Sequence, residues 1–381
     1  MNLFFEKVIT RRDFLKKCGL ISLTGMLIPK LVKFAEAQEG RLGLTIPKKA
    51  MFYKKLSKQR VHCLLCPRNC IVTKGNRGFC RVRENRNGDY YTLVHSNPCA
   101  VSIDPIEKKP LFHFLPGTGA LSIATAGCNF TCKNCQNFDI SQASPDETVN
   151  YEVSPEKLVE LALKYDVPTI AYTYTEPTIF FEYMLETAKI AKKNGVLNIY
   201  HSNGFINREP LLELTPYLDG ANIDLKGYSD EFYQDITGGS LKPVLETLIT
   251  LKKQGVWLEI TNLVIPTKND SSSMIKELCQ WVKNELDNDT PIHFSRFSPR
   301  YKMLNVPPTP ISTLKKAAET ARDLGHHYVY IGNVPGIEEE NTYCPYCGKI
   351  LIGRKGYNIT DINLKGNKCK FCRTKIAGLW G

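Results

Sequence analysis

The stretch ALSIATAGCNFTCKNCQNF, Ala120 to Phe138, joins two signals of different kinds. Its first half is a short apolar run closed by a glycine, the pattern of a strand buried on both faces. Its second half carries Cys128, Cys132 and Cys135 at C-x3-C-x2-C spacing, a density of thiols that reads as a metal site. A structural zinc closes its tetrahedron with four protein ligands, and an electron-carrying iron-sulfur cube also takes four cysteines. Three thiols therefore leave one coordination position open.

Working outward, the strand is the first of a series. Apolar strand candidates follow at 169–174, 197–202, 220–225, 257–264, 292–297 and 328–331. Helical stretches at 155–165, 179–193, 210–217, 243–254, 272–286 and 312–324 alternate with them. Regular alternation implies a parallel sheet, and six or seven units imply an α/β fold with a partial or full (β/α) barrel. Chemistry in such folds gathers at the C-terminal ends of the strands. Polar residues stand there in succession: Glu176 in TYTEPT, Asn203 in SNGF, Asp224 and Lys226 in NIDLKGY, then Glu259, His293 and Arg296. Alternative roles are helix caps for Asn203 and Thr175, a strand-end ion pair for Asp224 and Lys226, and a barrel salt bridge for Arg296.

Residues 1–37 form a leader and 38–116 a linker with a cysteine-rich N-terminal segment. The barrel spans 117–335, and 336–381 form a small C-terminal module, zinc-ribbon-like or rubredoxin-like. The net charge of +12 comes from basic residues scattered among acids without a long basic run, which argues against nucleic acid as a partner. The leader contains Thr10-Arg11-Arg12-Asp13-Phe14-Leu15-Lys16, an apolar run and then Ala35-Glu36-Ala37. This resembles a twin-arginine export signal, implying a periplasmic or membrane-associated protein cleaved after Ala37 or anchored by an uncleaved leader; if the leader is not an address, the protein is cytoplasmic.

Two further cysteine groups flank the barrel. Cys344, Cys347, Cys369 and Cys372 form two C-x2-C knuckles suited to structural zinc, with rubredoxin-like iron as the competitor. Cys63, Cys66, Cys70 and Cys80 form C-x2-C-x3-C-x9-C, where zinc is favoured over a second cluster and disulfides come into play only in an oxidising compartment. Cys279 in ELCQWV reads as a buried thiol on a helix face.

The trio after the first barrel strand, with TYTEPT, SNGF, NIDLKGY, DPIEKKPLFHFLPG, CLLCPRNC, FSRFSP and TYCPYCGKILI, resembles the radical S-adenosylmethionine (SAM) superfamily. The likeness is strongest to the AmmeMemoRadiSam-system branch, related to the pyruvate formate-lyase activating enzymes, and runs from Val61 to the C-terminus. It implies a [4Fe-4S] cluster on the trio with SAM chelating the open iron. It also implies reductive cleavage of SAM to a 5′-deoxyadenosyl radical that takes hydrogen from a substrate. Glu176 then stands where the SAM amino group is received, and Asn203, Asp224 and Lys226 match positions that help hold SAM. Glu259, His293 and Arg296 are the candidates for substrate contact. A flavodoxin- or ferredoxin-type electron donor and Memo-like and AMMECR-like proteins are the implied partners. Two departures stand out. Asn134 occupies the place before the third cysteine where relatives carry an aromatic residue, with Phe130 or Phe138 as substitutes. The extra cysteines precede the trio instead of following it, which argues against direct activation of a glycyl radical enzyme.

Overall fold

The computed structural model describes residues 39–381; the arginine pair and the expected cleavage point after Ala37 lie outside them. Eight strands form the central sheet: β1 (Ala100–Pro105), β2 (Gly119–Ala124), β3 (Thr169–Tyr172), β4 (Leu197–Ser202), β5 (Gly220–Asp224), β6 (Trp257–Val264), β7 (Ile292–Arg296) and β8 (Val329–Gly332). They neighbour one another in chain order; β2 to β8 run parallel, and β1 lies antiparallel on the edge. Among the described residues β8 does not pair with β1, so the sheet stays open as a partial barrel.

Each parallel step contains one main helix: α1 (Pro155–Lys164), α2 (Phe181–Lys193), α3 (Arg208–Leu214), α4 (Leu241–Lys253), α5 (Ser272–Glu285) and α6 (Ile311–Asp323). Local chemistry starts them. Ser154 caps α1 by accepting from the Lys157 amide at 3.2 Å, with Pro155 in the first turn, and Ser271 caps α5 through the Met274 amide. Their apolar faces do the rest: Leu158, Val159 and Ala162 of α1 are buried, as is Cys279 of α5. Register brings the strand ends into line, with Tyr172 opposite Ile123 and Tyr200, Ser202 opposite Ile223, and Asp224 opposite Thr261.

Strand β1 has no counterpart in the sequence reading, and it carries the sheet back past residue 117. Its residues AVSIDP include an aspartate and a proline, which belong on an edge strand whose outer side makes no ladder bonds. The N-terminal part adds two small three-stranded sheets that carry Cys63 and Arg83. At the other end, strands Thr342–Tyr343, Ile350–Lys355 and Asn358–Ile362 and a hairpin at 364–369 form the C-terminal module. Leu351, Ile352 and Ile376 pack on Phe112, Tyr328 and Tyr330 of the barrel. The buried Arg354 guanidinium donates to the Phe112 carbonyl at 2.7 Å.

Candidate active site

The loop after β2 is fixed from several sides. Gly127 takes φ +92°, and a Cβ there would lie 2.5 Å from the Cys80 carbonyl oxygen, so only glycine admits the N-terminal segment this close. The Thr131 and Lys133 amides donate to the carbonyls of Thr237 and Ile236. Cys128 Sγ accepts from the Phe130 amide at 3.3 Å, and Cys135 Sγ lies 3.1 Å from Ser141 Oγ. All three thiols of the trio line a cavity of about 720 Å³ at the C-terminal ends of the strands.

Glu176, Asn203, Asp224, Lys226 and His293 line the same cavity. Glu176 is buried, and its carboxylate is held by four donors. Oε1 accepts from the Thr178 amide (3.0 Å), Thr178 Oγ1 (2.6 Å) and Ser202 Oγ (2.7 Å), and Oε2 accepts from the Asn203 amide (2.9 Å). Burial raises its pKa above the usual carboxylate value against these bonds. A cationic donor at Oε2 would oppose that shift. Asn203 is itself engaged, its Nδ2 donating to Asn129 Oδ1 at 2.8 Å while Oδ1 accepts from the Phe205 amide. Lys226 Nζ lies 2.6 Å from Asp224 Oδ2, and His201 Nε2 lies 3.5 Å from Oδ1. Burial disfavours both charges of the pair, but their mutual attraction, with His201 on Asp224 and Cys132 on Lys226, wins. Asp224 is held well below the ordinary carboxylate range and Lys226 above the ordinary lysine range.

The three substrate candidates separate. His293 reaches the cavity. Glu259 stands behind it, fully buried, with Oε2 2.7 Å from His293 Nε2, and accepts from the amides of Phe112 (3.0 Å) and His113 (2.8 Å) and from Trp257 Nε1 (3.0 Å). It orients the histidine and ties the DPIEKKPLFHF segment to the sheet. Arg296 is not among the lining residues; its Nε donates to the Thr309 carbonyl at 2.9 Å. The expected aromatic substitutes do not reach the cavity either. Phe130 is buried against Phe205 and Tyr233, and Phe138 stacks on Tyr301. Asn134 does line it, with a buried Oδ1 that has no hydrogen-bond partner among the described residues.

Sequence reasoning assigned no role to a second polar group on this wall. Lys109, 1% exposed, lies 2.7 Å from Asp104 Oδ2, and Tyr174 donates to the same carboxylate. Burial lowers Lys109 to about 8 despite Asp104. The DPIEKKP motif was the available signal, but its residues meet Tyr174 only through the β1–β2 edge.

Away from the cavity, the C-terminal sulfurs close up: Cys344 and Cys372 are 3.6 Å apart, Cys347 and Cys369 3.8 Å, and all four lie within 4.8 Å of one another. An ion with metal–sulfur bonds of about 2.3 Å in a tetrahedron sets sulfurs about 3.8 Å apart, so the four thiols are placed to bind a metal. In the N-terminal segment Cys63, Cys66 and Cys80 are buried and Cys70 is half-buried.

Three thiols at the end of the first parallel strand, opening on a polar cavity within a partial barrel, define a class. Residues 122–282 match the model of the radical SAM superfamily. The chain carries a domain of that superfamily of enzymes, and the domain implies a [4Fe-4S] cluster and SAM. Over 331 residues it is 50% identical to an uncharacterised protein of Methanocaldococcus jannaschii, spanning 86% of this chain and 98% of that one. It is also homologous to the pyruvate formate-lyase-activating enzyme of Clostridium pasteurianum, at 25% identity over 162 residues, 42% of this chain and 67% of that enzyme. Among solved structures, Streptococcus suis SuiB bound to S-adenosylmethionine gives a TM-score of 0.45 at 12% identity, covering 64% of this chain and 58% of SuiB.

Proposed function

We propose that Cys128, Cys132 and Cys135 hold a [4Fe-4S] cube with one iron left for SAM, and that the enzyme is of the AmmeMemoRadiSam type. The observation that carries this is the trio itself: three thiols on one cavity wall, with no fourth cysteine among the described residues that line it. The remaining walls fit SAM. Glu176 Oε2 has capacity for the SAM amino group, and its other bonds fix the carboxylate in place, so the pair is a charge-assisted hydrogen bond made without reorganisation. Asp224 offers acceptors to ribose hydroxyls, and Lys226 a cation to the methionine carboxylate. The unpartnered Asn134 Oδ1 suits a donor such as the adenine amino group, in place of the aromatic packing found in relatives. When bound, the two groups supply one-electron cleavage of the sulfonium to a 5′-deoxyadenosyl radical able to abstract hydrogen. His293, oriented by Glu259, offers a substrate contact in the same cavity, and Lys109 adds a buried cation to its lining.

A flavodoxin- or ferredoxin-type protein supplies the electrons, Memo-like and AMMECR-like proteins are the functional partners, and zinc occupies the C-terminal knuckles. The leader directs the folded protein through the twin-arginine route to the periplasm or membrane. The central test is 5′-deoxyadenosine formation from SAM and dithionite by anaerobically reconstituted protein. Formation that stops when the trio is replaced by alanine supports the reading, and formation that continues sinks it.

Homology to the Clostridium pasteurianum enzyme favours a second reading, activation of a glycyl radical enzyme. That reading requires a glycyl radical signal on a co-purified partner after turnover.

A further inference from the structure

The quartet Cys63, Cys66, Cys70 and Cys80 takes no part in the site described above, yet it is built as a site. Cys63 ends the strand Arg60–Cys63, and its amide donates to the Cys70 carbonyl at 2.9 Å, while the Asn69 amide donates to the Cys66 carbonyl at 3.0 Å. This folds the CLLCPRNC loop back on itself. Cys80 enters from the next loop, and the four sulfurs lie near enough for each to feel the others' charge.

Their spacing is the informative feature. Among the described residues, the C-terminal knuckles form the only group of three or more ligand atoms that all lie within 4.8 Å of one another. The N-terminal quartet is wider, and so is the trio. One tetrahedral ion draws sulfurs to about 3.8 Å. A cube binds each thiolate through a separate iron and holds them further apart. Within one molecule, then, neither the quartet nor the trio has the close spacing of the knuckles.

A second observation concerns charge. Arg83, 1% exposed, is paired with Glu182 through Nη2, but its Nε and Nη1 have no hydrogen-bond partner among the described residues. Its charge acts on Cys63 and Cys80. The amides of Leu65, Arg68 and Val82 face the sulfurs of Cys63, Cys66 and Cys80. Buried unpaired guanidinium donors are costly, and an anionic group between these thiols would satisfy them.

We propose that Cys63, Cys66, Cys70 and Cys80 bind a second [4Fe-4S] cube that delivers electrons to the cube on the trio. The two groups are in contact: the Cys80 carbonyl abuts Gly127 beside Cys128, and Arg68 donates to the Asn129 carbonyl at 2.9 Å. The same guanidinium acts on Cys66, Cys70, Cys128 and Cys132. In the transfer a low-potential flavin or iron-sulfur protein loses one electron, and the N-terminal cube passes from the 2+ to the 1+ state. It returns to 2+ as the trio's cube is reduced; no bond breaks and no proton moves. The delivery role rests on the proposed trio cluster, whereas the second site does not.

The test uses the full chain, reconstituted anaerobically with iron and sulfide. With Cys128, Cys132 and Cys135 all changed to alanine, about four irons per chain and a reduced cubane signal in electron paramagnetic resonance should remain. Zinc beyond that of the knuckles, or no cluster iron, in this variant overturns the second site. Cys70→Ser, at the least buried position, guards against misfolding of the triple variant. Its iron should fall from about eight to about four, with a remaining signal that SAM still perturbs. Retention of all the iron overturns the assignment. Reduction of the remaining cube by a reduced flavodoxin should slow at least tenfold in Cys70→Ser, and an unchanged rate overturns the delivery role. A wild-type signal that SAM does not perturb would instead sink the trio reading and leave the second site standing.

Discussion

The knuckles at the C-terminus and the trio after β2 use the same ligand atom for opposite ends. In the knuckles each sulfur has a partner at 3.6 or 3.8 Å, so an ion bound there has a complete protein shell. Hydrogen bonds from Thr374 hold the Cys372 thiol well below the ordinary cysteine range, which favours the thiolate a metal needs. The trio faces a cavity of about 720 Å³, and its neighbours are polar groups with unused capacity, Glu176 Oε2 and Asn134 Oδ1. A closed shell makes a staple for a module too small to build its own core, and an open one makes a place for chemistry. Four thiols that close on one another, against three that face a cavity, separate the two.

The largest effect should come from the trio. Replacing Cys128, Cys132 and Cys135 by alanine should lower 5′-deoxyadenosine release at least 100-fold; activity above a tenth of wild type would erase the contrast between the two regions. The knuckles should behave in the opposite way. Cys347→Ser should remove about one zinc per chain and lower the thermal midpoint by roughly 5–10 °C, with SAM cleavage persisting at 25 °C. Loss of iron in place of zinc would move the knuckles toward the rubredoxin-like alternative.

A smaller effect is expected from Glu176→Gln, which keeps the shape of the side chain and removes its charge. SAM affinity should fall by roughly 1–3 kcal/mol, read by titration, with the cluster spectrum unchanged. Equal affinity would return Glu176 to its role as the cap of the 177–180 turn.

The smallest effect concerns pH. Asp224 has a folded-state pKa below its unfolded value, so its stabilising contribution is complete above about pH 4 and is lost as pH falls through the folded value. Lys226 is shifted upward, so its contribution is complete below about pH 10 and is lost as pH rises through the raised value. The Asp224–Lys226 pair should therefore add no pH dependence to SAM affinity from about pH 6 to 9, whereas the knuckles should release their metal on acidification as thiolates take up protons. A step in SAM affinity within that window that disappears in Asp224→Asn would break the expectation.

Much of the barrel was legible because strand and helix periods are local. The strands expected at 197–202 and 257–264 form at those residues, and the other barrel strands shift by a residue or two at their ends. Strand β1 escaped because its aspartate and proline mask the apolar pattern, and its place depends on an edge that only the folded sheet provides. Among site residues, His293 could be anticipated from its strand-end position. The pattern alone could not separate it from Glu259, which faces the same side of the sheet but is consumed by the amides of Phe112 and His113. The pairing of Lys109 and Asp104 with Tyr174 joins residues about 65–70 positions apart, a distance no local signal spans.

The sequence by itself determined the class of this protein: a parallel α/β fold with a three-cysteine motif at its first strand end, flanked by two further cysteine groups. Those features are written in spacing, and spacing survives without a fold. Tertiary structure alone decided which polar residues share the cavity, which carboxylate is tied up behind a histidine, and how far apart the sulfurs of each group stand. Such distances are set by strand register and by loops held from outside, as Gly127 is by the backbone of Cys80. Four cysteines in a row of letters look alike; only the fold sets how far apart their sulfurs stand.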